Sequence, residues 1–387
     1  MNRLMLSCLA GALAVWALCA GCSNVAGKNR SHGTGTTVAV RAGLPAPVRV
    51  GDLWGYVDAS GAQVMAPVYE DAGSFGAGLA VARWGGKYGF IDPRGKWAIW
   101  PKFDAVDMFH EGRAAVRSDG KWGFVQPSGS WIVRPRYEDV SAFSEGLAAV
   151  KSEGKWGFID LNGRVVVAPR FEWAEAFGEG LAPVKRADGF VYIDRTGKVV
   201  IAGGYESALP FSGGLAPAKS RGKWGYIDTT GKWLVQPRFS HAGTFEEGRA
   251  VVAEKGAWGF ADASGAAVGD LTYSAALPFS NGLAAVRVGS KFGYVDAAGS
   301  LVIQPQFEQA GPFAVERAPV KIGGKWGFID RTGAISIEPR YDDAGAFAEQ
   351  PSVTEGKSLA APRFQGRRGW IIGGLIAAGA IAVAAAL

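Results

Sequence analysis

Cysteine is almost missing from this chain. Of 387 residues only Cys8, Cys19 and Cys22 are cysteines, and all three fall in the first 22 positions. Everything beyond them has neither a disulfide partner nor a thiolate metal site, whatever compartment the protein occupies. Histidine is equally scarce: His32, His110 and His241 stand in unrelated contexts. Metal ligands must converge in space, so no histidine metal centre and no cofactor is expected. An excess of one charge sign is lacking too, because 41 Lys and Arg are interspersed with 35 Asp and Glu for a formal net charge of +6. A nucleic-acid footprint needs basic residues gathered on one face, so no nucleic-acid partner is expected.

What the chain has in quantity is repetition. Trp54, Tyr88, Trp122, Trp156, Phe190, Trp224, Trp258, Phe292 and Trp326 follow one another at intervals of 34 residues. Nine aromatics in perfect step mark nine copies of one unit, and a fixed period of this size signals a repeat architecture. The array covers residues 46–350 and leaves no room for a second domain.

The copy from Lys155 to Val184 shows the logic of one unit. In KWGFID, Trp156, Phe158 and Asp160 share one side of a strand, and Gly157 and Ile159 share the other. Asp160-Leu161-Asn162-Gly163 then has Asp first and Gly last, the chemistry of a type I turn. A β-branched run, Val165 to Val167, returns as a second strand, and Pro169 is expected to stop it because proline cannot donate to a ladder. Phe171 and Phe177 read as plugs closing the connector over the sheet. A segment such as Gly146 to Lys151 supplies a third strand before the next tryptophan. The glycine and proline content and the alternation in steps of two oppose a helical repeat of the same period. Each unit is therefore expected to be a three-stranded meander, too small to fold without its neighbours.

KWGFID, the P-x-[YF]-[DE] step and the F-x-x-G-x-A-x-V ending resemble the bacterial WG repeat family, also called KWG repeats. That resemblance implies an exported bacterial protein with a binding role and no general enzymatic activity. The chain departs from the pattern in three copies. Phe190 and Val191 replace Trp-Gly in the fifth, Gly269 to Tyr273 lacks the proline in the seventh, and Glu316 replaces a glycine in the eighth.

Such units can stack as an open β-solenoid or close as a β-propeller-like ring. Nine units exceed the usual blade number, and three strands are fewer than the usual four, so the open all-β superhelix is the expected form. The closed ring remains the alternative, since Val48 to Val50 could complete the ninth unit, although local pairing with the first copy is preferred.

In a stack, equivalent positions line up as stripes. Lys102, Arg136, Arg170, Arg238 and Arg340 form a candidate basic row, with Glu138, Glu172 or Asp342 two places on. The row could hold an acidic partner or could be a solvated lattice of opposite charges. Trp97, Trp131 and Trp233 share one position after the turn and form a candidate aromatic patch, with edge packing on a neighbouring copy as the plainer reading. The register tryptophans interchange with Phe and Tyr, which marks them as core. No nucleophile and base stand at catalytic spacing, and no phosphate-binding glycine loop precedes a helix, so no enzyme is expected.

Residues 1–22 read as an export signal, with Arg3 ahead of an apolar run from Leu4 to Ala20. Leu18 to Cys22, LCAGC, resembles a bacterial lipoprotein signal, which implies lipid attachment at Cys22; Cys19 departs from that pattern. An ordinary signal peptide or an uncleaved apolar anchor are the alternatives. Residues 23–45 read as a flexible tether and 351–369 as a linker. Residues 370–387 are uncharged, and as a helix they would reach roughly 27 Å, a marginal transmembrane span. Gly369 and Gly373 would favour helix association, while Arg367 and Arg368 conflict with the positive-inside tendency. The expected protein is a membrane-tethered scaffold of the bacterial cell envelope that binds a protein or cell-wall glycan, with a structural spacer between two membranes as the alternative.

Overall fold

The computed structural model describes residues 43–349, and these form strands Ala46–Val50 to Asp343–Ala344 with no helix among them. The export signal, Cys22, most of the tether, the linker and the apolar segment 370–387 lie outside the described residues. Among the described residues, no helix is long and apolar enough to cross a membrane, which leaves segment 370–387 untested.

The fourth repeat shows how the sequence builds one blade. Leu147–Ser152 pairs with Lys155–Asp160 in continuous antiparallel register from Leu147↔Asp160 to Ser152↔Lys155. Glu153 and Gly154 join them with φ of 52° and 74°, the type I′ geometry that matches strand twist. At the other end Asp160 behaves as expected for its turn. Its Oδ1 accepts the Asn162 and Arg164 N–H groups at 2.9 Å, and the Gly163 N–H reaches the Asp160 carbonyl at 2.8 Å.

Pro169 does not stop the strand as the sequence predicts. Val165–Phe171 runs through it as a bulge, in which Trp156 pairs with Phe171 and Phe158 with Val167. One residue, Gly157, thus faces three. A Cβ on Gly157 would sit 2.4 Å from the Val167 carbonyl oxygen and 2.6 Å from the Pro169 nitrogen. The Trp-Gly glycine is there because the bulged backbone passes too close for any side chain.

The expected three-stranded open array is overturned on both counts. Each sheet has four strands, and the nine sheets form a closed β-propeller. In seven blades the additional strand is a two-residue piece such as Asp139–Val140, which pairs with Lys151 and Val150 and completes the sheet of the following hairpin; in two it runs longer, Ala105–His110 and His241–Glu246. Two residues are too few to show a period, so the strand is invisible in the pattern. It lies at the hub, where a ring has least room. The seven-residue strands, with Val165 54% and Val200 51% exposed, lie at the rim.

Closure uses the segment ahead of the first tryptophan. Ala46–Val50 pairs locally with Leu53–Val57, as preferred from the sequence, and its other edge takes Asp343–Ala344 from the last repeat. Val48 faces Ala344 and Arg49 faces Asp343. The Asp342 N–H reaches the Arg49 carbonyl at 2.9 Å, and the Gly345 N–H reaches that of Pro47 at 2.8 Å. Both edges would otherwise present unpaired backbone groups, and pairing them removes that cost. The core at the seam mixes the two termini, with Ala46, Val48 and Val57 packed among Trp326, Phe328, Tyr341 and Phe347.

Inside every blade the second aromatic of the Trp-Gly strand packs on the connector phenylalanine. Phe158 on Phe177 at 4.9 Å is typical, and the range runs from 4.7 Å for Phe260 on Phe279 to 5.2 Å for Tyr56 on Phe75. Where this residue is tyrosine, its hydroxyl finds a carbonyl in or just past the hub strand: Tyr192 donates to Leu209 and Tyr226 to Gly243, each at 2.9 Å.

Candidate functional site

Antiparallel connection sorts the loops onto two faces. Blade-to-blade crossovers and the type I′ turns share one face; the long connectors and the Asp-Gly turns share the other. Acidic residues after the rim strand belong to the crossover face and hold the turn beside them. Glu138 accepts the Gly154 N–H at 3.1 Å, Glu206 that of Gly222 at 3.0 Å, and Asp342 that of Gly51 at 2.7 Å. On the connector face, Glu111, Glu145, Glu179 and Glu247 reach across to the next blade, where they accept the N–H groups of Gly146, Gly180, Gly214 and Gly282. These carboxylates tie blades together.

The predicted basic row sits in the rim bulges. Each cation stacks on the aromatic that follows it: Lys102 on Phe103 at 5.2 Å, Arg136 on Tyr137 at 4.9 Å, Arg170 on Phe171 at 5.0 Å, Arg238 on Phe239 at 4.6 Å and Arg340 on Tyr341 at 5.1 Å. Four guanidinium groups then donate to a turn carbonyl of the next blade, Arg136 to Gly163 at 3.5 Å. Arg170 reaches Gly197 at 2.7 Å, Arg238 reaches Gly265 at 2.7 Å, and Arg340 reaches Gly61 across the seam at 2.8 Å. The four arginines are separate inter-blade clamps, while Lys102 rests on Phe103 of its own blade.

The predicted aromatic trio is separated by the ring as well. Trp97, Trp131 and Trp233 are half-buried, and each meets the rim aromatic of the preceding blade edge to face: Tyr69 at 5.8 Å, Phe103 at 5.8 Å and Tyr205 at 5.7 Å. Among the described residues the exposed indoles are Trp100 at 66% and Trp84 at 55%. Trp122, Trp156, Trp258 and Trp326 of the register are buried.

Sequence reasoning missed the hub. The first residue of each two-residue strand changes from blade to blade, with Asp71, Asp139, Trp173, Ser207, Gln309 and Asp343 among them. Its cross-strand partner is usually a cation, as in Asp71↔Arg83, Asp139↔Lys151, Trp173↔Lys185 and Ser207↔Lys219. The available signal was that this position varies beside an almost invariant acid. Burial raises the Asp139 carboxyl to about 6, although the Val140 N–H and the nearby Lys151 and Arg117 pull the other way. Burial lowers His241 to about 4, with its ring 5.0 Å from Trp258. These groups stand in different blades. Among the described residues no cluster of three or more His, Cys, Asp or Glu could hold a metal.

Glu175, next to the hub strand Trp173–Ala174, is a second buried carboxyl. Burial raises it from 4.5 to about 7, against the pull of the Trp173 indole N–H, which donates to it at 2.6 Å. The folded state prefers the neutral acid, so the penalty for the charge is absent below pH 4.5, grows between pH 4.5 and 7, and is complete above that. Glu175→Gln should therefore raise stability at pH 8 by up to about 3 kcal/mol relative to its effect at pH 4. Urea denaturation of both proteins across this range checks it, and a difference that stays flat with pH would refute the assignment.

A closed ring of repeated four-stranded sheets whose shared residues are spent on its own construction defines the class: a β-propeller assembled from tandem copies. The chain matches the family described as WG containing repeat over residues 54–88, 88–122, 122–156, 156–189, 192–224, 224–256, 258–292, 292–326 and 326–350, and it belongs to that family. The break at 190–191 falls on Phe190 and Val191, where the fifth copy departs. No curated protein matches the chain. Among solved structures, it is similar to a crystal structure of the eukaryotic initiation factor, with 11% identity over 80% of this chain and 99% of that one, and a TM-score of 0.58. It is also similar to Hsv2p of Kluyveromyces lactis, with 10% identity over 58% of this chain and 91% of that one, and a TM-score of 0.39. At these identities the likeness concerns the fold alone.

Proposed function

We propose that this WG-repeat propeller is a non-enzymatic binding scaffold, held at a membrane of the bacterial envelope and presenting its surface to a protein or cell-wall partner. The observation that carries the reading is the division of labour between positions. Residues common to the copies are spent on blade and ring, as in the Arg170 clamp and the Glu138 turn cap. The residues that differ include the first position of the hub strands, where the half-buried Trp173 and Gln309 stand at the same register as the buried Asp139 and Ser207. A fixed frame with a changing surface is what a recognition module requires. The export-type N-terminus and the LCAGC stretch support the envelope location.

The full chain, immobilised and exposed to solubilised envelope proteins and to purified peptidoglycan, is expected to retain a partner. A control ring with its hub residues Trp173 and Gln309 replaced by alanine should lose it. Equal retention by both proteins would sink the reading.

A spacer between two membranes is the second reading, and it also needs no catalysis. Leu44 is bridged to Ala348, so both flanking segments leave the ring at one point. The linkers rather than the width of the ring would then set the span.

A further inference from the structure

We propose that the rim of the seventh blade is a docking edge for an extended peptide segment of a protein partner, joined to the sheet as an added strand. The inference rests on the scaffold reading and assigns it a site. In a closed ring the rim strand is the edge of each blade that no neighbouring strand covers. Such an edge invites pairing, and proline blunts it by removing a donor and forcing a bulge. Seven of the nine rim strands carry that proline, as Pro169 and Pro237 do.

The two exceptions differ. In the fifth blade the position is Gly203, and the ring of Tyr205 lies against it, 2.1 Å from where a Cβ would stand, so that edge offers a peptide no side chain at this position to pack on. In the seventh blade the position is Leu271, which keeps its backbone N–H. There the ladder passes from Phe260↔Val268 directly to Trp258↔Tyr273, so that four residues face Gly259 alone, and the first of them, Gly269, abuts the Gly299 turn of the eighth blade. Gly269, Asp270 and Thr272 of that stretch are exposed.

A cleft of about 690 Å³ adjoins this edge between the sixth and seventh blades. Leu234, Val235 and Leu271 supply apolar lining, with Arg238 and Glu254 at its borders. Leu234 is 50% exposed there, so a side chain entering the cleft has an apolar surface to cover. A row of backbone donors and acceptors beside an apolar cleft matches an extended peptide, which bonds through its main chain and buries alternate side chains. With Arg238 held by Gly265 and Phe239, the remaining charge of the lining, Glu254, disfavours a polyanion.

Phage-displayed random peptides selected on the full chain test the proposal, with Leu271→Pro and Leu234→Glu as variants. Leu271→Pro gives the blade the residue of its seven sisters, and Leu234→Glu puts a charge in the cleft from the neighbouring blade without altering the edge strand. Selected peptides should bind wild type at least tenfold more tightly than either variant, and binding should slow amide exchange at residues 269–272. If Leu271→Pro fails to fold, Leu234→Glu and the exchange data decide. Equal binding to the variants, or no peptide selected, overturns the docking edge. Self-association of the full chain abolished by Leu271→Pro would assign the edge to a second copy and overturn it as well. Envelope partners retained equally by wild type and both variants would remove the docking edge and leave the scaffold reading standing.

Discussion

Val48→Cys combined with Ala344→Cys, in a chain whose three native cysteines are replaced by serine, is expected to form an intramolecular disulfide in nearly every molecule. These residues face each other across the seam, and both are buried, at 2% and 6% exposure. Directly opposed residues of an antiparallel pair have Cα atoms about 4.5–5.5 Å apart, within the range a disulfide accepts. The bond would close a loop that includes almost the whole ring. Loop-closure entropy then predicts stabilisation on the order of 5 kcal/mol, less whatever strain the bond introduces. Mobility on non-reducing gels and denaturation with and without reductant read the result. Monomers that stay reduced under mild oxidation, or that cross-link only between molecules, would mean the ends do not meet.

Gly157→Ala should be among the most damaging single-methyl additions available. The new Cβ would lie 2.4 Å from the Val167 oxygen and 2.6 Å from the Pro169 nitrogen, and both belong to backbone held by the bulge. Overpacking against fixed atoms costs about 1–3 kcal/mol, and here the upper end applies because no side chain can swing away. Gly259→Ala provides the comparison. Its nearest neighbour is the Leu271 Cδ2 at 2.5 Å, the end of a flexible side chain, with the Asp270 oxygen at 3.2 Å. Its loss should be less than half that of Gly157→Ala in urea denaturation. Equal losses would indicate that general strand disruption, rather than the backbone approach, explains the glycine.

The same contact accounts for two of the three departures that the sequence displays, those of the fifth and seventh copies. The fifth copy has Val191 where the others have glycine, and it is the copy whose rim strand carries Gly203 and Gly204 in place of proline and the residue after it. A side chain on the inner strand is accommodated where the opposing strand loses its own. The seventh copy keeps Gly259 and fills the space with Leu271. Substitutions that look like decay in a repeat are paired through one backbone crossing.

Much of the unit was legible because it is local. The 34-residue step, the Asp160 turn and the aromatic packing of Phe158 and Phe177 depend on near neighbours, and each has a residue signature. The candidate surface was legible only as a row of residue types. Arg170 reads as a free cation in the sequence, yet it lies over Phe171 and is bonded to Gly197 of the next blade. Trp131 reads as a candidate patch member, yet it meets Phe103 of the blade before it. Spacing along a chain does not disclose which groups are already occupied by partners one repeat away.

By itself the sequence determined an all-β array of nine equal units, their turn chemistry and their family, because strand alternation and turn geometry are written residue by residue. Only the tertiary structure decided that the units have four strands and that the array closes. The hub strand Asp343–Ala344 has too few residues to carry a period, and its partner Arg49 lies almost the whole length of the ring away in sequence. Closure is a matter of the twist accumulated between neighbouring sheets, and that sum exists only once every blade is packed on the next.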